Sequence, residues 1–290
     1  MSIDSEMVAL TDEEFEENVE EIFTELAMCA EKSSNPTLVL VGGQAGSGKS
    51  ALVARENSDL EEQAIIIDQD ELRTKYPREK YKLIHDNLTE REEFLLLKPY
   101  MSRLVPALIE RAQKGGYNII LESALRSVKS FSETISGVKK GGYNTKLSIL
   151  SVPEIEGNIS MLTRYCYFLE KYGECRRNTR IDPESVKKIR ENIQLLEDNN
   201  IFDDITVSIR GKDRDSLPIQ IYSKNEQPEI TPVQAYDMGI DKSYKDTERN
   251  FQTRYEEIRA ALEKNNEQAK LEILEELRKS FEDRVQEKEV

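Results

Sequence analysis

Eight residues, Gly43-Gln-Ala-Gly-Ser-Gly48-Lys49-Ser50, restrict this chain more than any other feature, because they fit the pattern G-x-x-x-x-G-K-[ST] in full. The pattern carries chemistry only between a strand and a helix, and both flanks comply. The apolar run Thr37-Leu-Val-Leu-Val41 precedes it, after the breaker Ser33-Ser34-Asn35-Pro36, and a segment able to form a helix starts at about Ser50. Glycines in such a loop let backbone N–H groups curl around the β- and γ-phosphates of a nucleotide. The helix N-terminus adds its positive end, Lys49 adds a point charge, and the Ser50 hydroxyl can ligate Mg²⁺. Gly43, Gln44, Ala45, Gly46, Ser47, Gly48, Lys49 and Ser50 are therefore the expected nucleotide-binding residues, with Ser50 on the metal.

Three more short apolar runs follow, Ala64-Ile65-Ile66-Ile67, Tyr117-Asn-Ile-Ile-Leu121 and Thr145-Lys-Leu-Ser-Ile-Leu-Ser-Val152, separated by longer helical stretches. The last two each come after a glycine pair, Gly115-Gly116 and Gly141-Gly142. Strands rich in Ile, Leu and Val that alternate with helices indicate a parallel sheet covered on both faces. Asp204-Ile-Thr-Val-Ser-Ile-Arg210 and Pro218-Ile-Gln-Ile-Tyr222 read as a final strand pair. The expected fold is a three-layer α/β fold of the P-loop NTPase and kinase type. Its sheet is mostly parallel, and it carries an N-terminal helix and a C-terminal helical extension.

Charge is unevenly placed. The 290 residues carry 56 acids and 41 bases, a net −15, yet residues 1–31 contain 11 acids and no Lys or Arg. The other 259 residues hold 45 acids and 41 bases, a balance of −4. The acidic segment has helical order: Phe15, Val19, Ile22, Phe23 and Leu26 share one face, Thr11 and Glu14 form a capping box, and Leu10 can staple against Phe15. Its acids face the other way, as a solvated surface or a partner surface. The charge speaks against nucleic acid as a partner. No apolar run is long enough for a membrane span, and the N-terminus lacks the pattern of a signal peptide. Cys29, Cys166 and Cys175 form no disulfide framework, so the expected setting is cytoplasmic. The lone His85 makes a carboxylate the better candidate for a general base.

GTPases normally carry an N-K-x-D segment, which is missing, leaving ATP as the expected nucleotide. The second run ends in Asp68-Gln-Asp70, with Arg73 one turn on. Carboxylates at the C-terminal end of a parallel strand beside a phosphate loop occupy the reacting edge of an α/β sheet. One of the two can take the proton from an attacking hydroxyl, while Asp68 can also cap a helix beginning near Glu71. Glu122 ends the next strand, with Arg126 just beyond, and can reach Mg²⁺ through water, meet a substrate hydroxyl, or remain a surface carboxylate. Arg164, Arg176, Arg177 and Arg180 cluster around a helix and its following loop, where arginines can stabilise charge on a transferring phosphoryl group.

These residues form an ordered series that resembles the zeta toxins, P-loop kinases of bacterial toxin–antitoxin systems. The likeness begins at Leu10-Thr-Asp-Glu-Glu-Phe15 and continues through Gly42 to Ser50, Ile67-Asp-Gln-Asp70, Pro99-Tyr100, Gly116-Tyr-Asn118 with Glu122, Gly142 to Lys146, Val152-Pro153 and Arg164-Tyr165 to Phe202-Asp-Asp204. The resemblance implies an ATP- and Mg²⁺-dependent kinase acting on the 3′-hydroxyl of the amino sugar in UDP-N-acetylglucosamine, starving peptidoglycan synthesis, and an antitoxin partner. It implies that Lys49 and Ser50 serve ATP and Mg²⁺ and that Asp70 is the base. It further implies that Glu122 and Thr134, with Arg73 and Arg126 nearby, face the acceptor. Arg164 becomes the first phosphate-stabilising arginine; Arg180 suits the second through the R-x-x-P spacing to Pro183, with Arg177 as the other option.

Two positions depart from the family. A family glutamate on the helix after Pro99-Tyr100 falls on Pro106, and a Gly-Thr pair after the strand-end glutamate is Ser123-Ala124. Both lie on the acceptor side, so a kinase with another acceptor (a nucleoside, a dinucleotide or a nucleic-acid end) is an alternative, as is a nucleotide-gated interaction protein. The chain is expected to divide into an acidic helix packed on the core (1–35), a P-loop kinase domain (36–225) and a charged helical extension (226–290). In the extension, Leu271, Ile273, Leu274 and Leu277 are the main apolar positions.

Overall fold

The computed structural model describes residues 5–125, 128–175, 179–181, 183–211 and 216–289. In chain order the elements are α1 (Ser5–Val8), α2 (Asp12–Ala27), β1 (Thr37–Gly42), α3 (Lys49–Asp59), β2 (Ile65–Asp68), α4 (Gln69–Arg73), α5 (Arg78–Asn87), α6 (Glu90–Gly115) and β3 (Ile119–Ser123). They continue with α7 (Val128–Lys140), β4 (Asn144–Leu150), α8 (Glu154–Tyr172), α9 (Pro183–Asp198), β5 (Asp204–Ile209), β6 (Ile219–Ser223), α10 (Pro232–Lys264) and α11 (Gln268–Glu289).

The six strands form one sheet in the order β2-β3-β1-β4-β5-β6, parallel except for the β5–β6 pair. This is the expected α/β sheet, and it is covered on both faces. Alternation along β1 shows why. Leu38 and Leu40 join Ile65, Ile67, Ile119, Leu121 and Leu147 in a core that also takes in Phe15, Val19 and Ile22 of α2 and Leu104 and Leu108 of α6. Val39 and Val41 point the other way, into a smaller core with Leu52 and Val53 of α3. A strand buried on both faces has no polar side, so its run is continuously apolar.

The N-terminal helix has the expected capping box, with Thr11 Oγ1 accepting from Glu14 N and Glu14 Oε2 accepting from Thr11 N. Part of its acidic face is paired: Glu16 and Glu20 meet Arg111, Glu25 meets Lys75, and Glu14 meets Lys80. Helix α6 runs through both Pro99 and Pro106. Each proline removes one i→i−4 bond. Leu97, Tyr100, Leu104, Leu108 and Ala112, all buried, hold the helix together across those gaps.

The C-terminal helices pack rather than project. Tyr236 and Ile240 of α10 enter the large core, and Phe251, Tyr255, Ile258 and Leu262 meet Ile159, Leu162, Tyr165 and Leu169 of α8, closed by Leu274 and Leu277 of α11. A fully buried leucine such as Leu262 or Leu274 contributes roughly 2 kcal/mol. Thr231 starts α10 with a capping box of its own, its Oγ1 accepting from Gln234 N at 3.2 Å while Gln234 Oε1 accepts from Thr231 N at 2.9 Å. Thr231→Ala is expected to cost about 1 kcal/mol, read as a lower urea midpoint at unchanged m-value.

Candidate active site

Register brings the chemistry to one edge. Asp68 of β2 lies opposite Glu122 of β3, Val41 of β1 is also opposite Glu122, and Gly42 is opposite Ser123. The phosphate loop therefore leaves β1 beside the carboxylates that end β2 and β3. In the loop, Gly46 and Gly48 have left-handed φ values of +70° and +96°. A Cβ at Gly46 would lie 2.2 Å from the Gly157 carbonyl oxygen, a backbone atom that cannot turn aside. The Gln44 amide donates to the carbonyls of Val152 and Pro153, both at 3.0 Å, which ties the loop to the start of α8.

Lys49 points back over the loop, donating to Gln44 O at 3.2 Å with its Nζ 3.7 Å from Glu122 Oε1. Burial pushes the Lys49 ammonium below its ordinary range, Glu122, Asp70 and Asp68 pull it back up, and Arg164 pushes it down again. Burial likewise raises the Glu122 carboxyl; Lys49 opposes that rise, and Asp68 and Asp70 add to it. One lysine, three carboxylates and Arg164 thus share one electrostatic site.

Asp68 and Asp70 differ in what their oxygens do. Asp68 caps α4, which starts at Gln69 rather than near Glu71, with Oδ1 accepting from Asp70 N at 2.8 Å and Glu71 N at 3.3 Å. The Asp70 side chain is 81% exposed and is held by Arg73, whose guanidinium lies 5.3 Å from the centre of the Phe94 ring.

The cradle suits a nucleotide phosphate: left-handed glycines surround it, and the Ser47 hydroxyl is fully buried with no hydrogen-bond partner among the described residues. Among the described residues no three His, Cys, Asp or Glu side chains form a metal site of their own. Mg²⁺ at Ser50 would be completed by nucleotide phosphates and water, its usual coordination in such sites.

The zeta toxin family model matches residues 19–227, from the second turn of α2 to just past β6. The chain belongs to the zeta toxin family. Membership implies a phosphotransferase of the kinase type. The chain is 26% identical over 243 residues to toxin zeta of Streptococcus pyogenes, covering 81% of this chain and 80% of that protein. It is 25% identical over 207 residues to toxin PezT of Streptococcus pneumoniae, covering 70% and 79%. A solved structure from the PezAT chromosomal toxin–antitoxin system of Streptococcus pneumoniae superposes with a TM-score of 0.74 at 21% identity, over 88% of this chain and 99% of that one. That likeness shows the fold.

The other candidate residues of this zeta toxin family member lie on several elements. Arg164 is exposed on α8, within electrostatic reach of Lys49. Thr134 is half-buried on α7. Arg180 is exposed and pairs at 2.7 Å with Glu276 of α11. Arg126, Arg176 and Arg177 lie outside the described residues. His85 pairs with Glu93 across α5 and α6. Ser123 Oγ accepts from Leu125 N at 3.0 Å, and Leu125, fully buried, has φ +50°. A left-handed leucine is strained. The Asn192 amide from α9, which donates to the Leu125 carbonyl, helps hold it.

Three further residues at the loop escaped the sequence reading: Arg210 at the end of β5, Glu156 on α8 and Arg254 on α10. No local motif marks them, because 54 residues separate Glu156 from Arg210 and a further 44 separate Arg210 from Arg254.

Proposed function

We propose that this chain transfers the γ-phosphoryl group of ATP to the 3′-hydroxyl of the amino sugar in UDP-N-acetylglucosamine, and so blocks cell-wall synthesis. The observation that carries the reading is Lys49 set 3.7 Å from Glu122 at the strand edge, beside an exposed Asp70, in a zeta toxin family member. Loop N–H groups and Lys49 bind the β- and γ-phosphates. Ser50 would hold Mg²⁺, which neutralises phosphate charge when bound. Asp70, oriented by Arg73, accepts the proton of the sugar hydroxyl as its oxygen bonds to the γ-phosphorus and ADP departs. Glu122, Thr134 and Arg126 orient the acceptor. Arg164 stabilises charge on the transferring group, and Arg180 joins it by exchanging Glu276 for phosphate. The setting is cytoplasmic, where the nucleotide substrates are. An antitoxin is the proposed protein partner, as in the toxin–antitoxin system that supplies the structural likeness.

A second reading keeps the kinase and changes the acceptor. Ser123, where the family has a small Gly-Thr pair, spends its hydroxyl on Leu125 N, and α6 has Pro106 in place of an acceptor-side glutamate. Incubation with ATP, Mg²⁺ and UDP-N-acetylglucosamine separates the two: the product is expected one phosphate heavier than the sugar nucleotide, by mass. No such product at high enzyme concentration, with phosphorylation of a nucleoside, dinucleotide or oligonucleotide in a parallel screen, would install the second reading.

A further inference from the structure

The carbonyl side of the phosphate loop is gripped from outside. Arg210 Nε donates to Ser47 O at 2.7 Å, and its Nη2 donates to Gly46 O. Its remaining nitrogen, Nη1, donates to Glu156 Oε1 and, at 3.0 Å, to Ser160 Oγ. The same Glu156 oxygen receives Arg254 Nη1 at 2.5 Å, while Arg254 Nη2 donates to Ser160 Oγ at 3.0 Å and Thr163 Oγ1 at 3.4 Å. Glu156, Ser160 and Thr163 fall at i, i+4 and i+7 on α8, one polar stripe beside the apolar face that carries Ile159 and Leu162. Arg254 reaches that stripe because its neighbours Phe251, Tyr255 and Ile258 fix α10 against α8.

We propose that the Arg254–Glu156–Arg210 bridge positions the phosphate loop, so that the C-terminal helix α10 is part of the nucleotide-binding apparatus rather than an appended arm. Peptide geometry supplies the mechanism. A trans peptide points its C=O and N–H in opposite directions, so holding the Ser47 carbonyl toward Arg210 sends the Gly48 N–H to the opposite side of the loop. A loop with three glycines in six residues has much freedom to lose, and fixing two carbonyls in advance removes that loss from the binding step. Two guanidiniums facing one carboxylate also leave one positive charge behind an anion site. The fork matters as much as the charge: Arg210 spans two carbonyls and a carboxylate through three different nitrogens, a geometry a lysine cannot copy.

The inference rests on the reading that the loop binds ATP, and the test separates the two. ATP is titrated calorimetrically, without acceptor, into full-length wild type, Arg254→Met, Arg254→Lys, Glu156→Gln and Arg210→Lys, with a urea midpoint for each. The Kd for ATP is expected to rise about tenfold in Arg254→Met and at least as much in Arg210→Lys, and Arg254→Lys is expected to recover part of the loss. In turnover, KM for ATP rises more than kcat falls. Glu156→Gln, which keeps size and an acceptor oxygen, serves if an arginine variant does not fold, and is expected to weaken ATP as well. Folded variants with wild-type Kd, or a Kd that tracks only the folded fraction, overturn the bridge while leaving the kinase reading intact. Wild type that does not bind ATP overturns both.

Discussion

Asp70→Asn lowers kcat by about 10² to 10⁴, the usual contribution of a positioned general base, and leaves the Kd for ATP within about twofold of wild type. The amide keeps the shape of the carboxylate and an acceptor for Arg73, but it cannot take the hydroxyl proton. The fold should be indifferent, because the Asp70 side chain is 81% exposed and its partner Arg73 remains over Phe94. Asp68→Asn is the matched control. Asp68 spends Oδ1 on the N–H groups of Asp70 and Glu71, and asparagine is as good an N-cap as aspartate. Its turnover should therefore stay within about tenfold of wild type. Single-turnover phosphoryl transfer under saturating ATP measures both. The reverse ranking, with Asp68→Asn inactive and Asp70→Asn active, would move the base to Asp68.

What is legible in the sequence is what is local in it. The phosphate loop is eight consecutive residues, the strands are continuous apolar runs, and the Thr11–Glu14 box is four residues long, so each signal fits within one element. Helix α6 was less legible, because two prolines suggest a break that burial of five large or well-packed side chains overrides. In α10 the sequence does carry a signal. Tyr236, Ile240, Tyr244, Thr247, Phe251, Tyr255, Ile258 and Leu262 recur at spacings of four and three, the mark of a helix with one buried seam, though the charged residues between them make the helix as a whole read as polar. At the site, strand register sets Asp68 beside Glu122, and Lys49 and Asp70 join them from the first turns of α3 and α4, the helices that follow β1 and β2. Arg180 could not be placed in advance, since its partner Glu276 lies 96 residues away on α11. The grip of Arg210 on the Gly46 and Ser47 carbonyls is equally invisible, being a contact of a side chain with backbone across 163 and 164 residues.

Lys49→Met should reduce kcat by about 10² to 10³, the loss found when one fixed donor to a developing anion is removed, and it should also change how the protein responds to pH. Lys49 is the group that holds the Glu122 carboxyl down against burial and against Asp68 and Asp70. Without it, Glu122 titrates at still higher pH. A carboxyl whose folded pKa lies above its unfolded value of 4.5 binds its proton more tightly in the native state, so its stabilising effect is present at low pH and is lost as pH rises through the folded pKa. At about pH 4 the protonated Glu122 gives Lys49 little in return for its burial, and methionine there should be neutral or stabilising. At about pH 7 to 8 the variant leaves a half-buried carboxylate facing Asp68 and Asp70 without its lysine, and should be the less stable protein. Urea midpoints of wild type and Lys49→Met are thus expected to cross or converge toward acid and separate toward neutrality. Adding Glu122→Gln should flatten the difference. Parallel curves across that range would mean that Lys49 and Glu122 are not electrostatically coupled, and the site would lose the pairing that distinguishes it from a simple phosphate-binding loop.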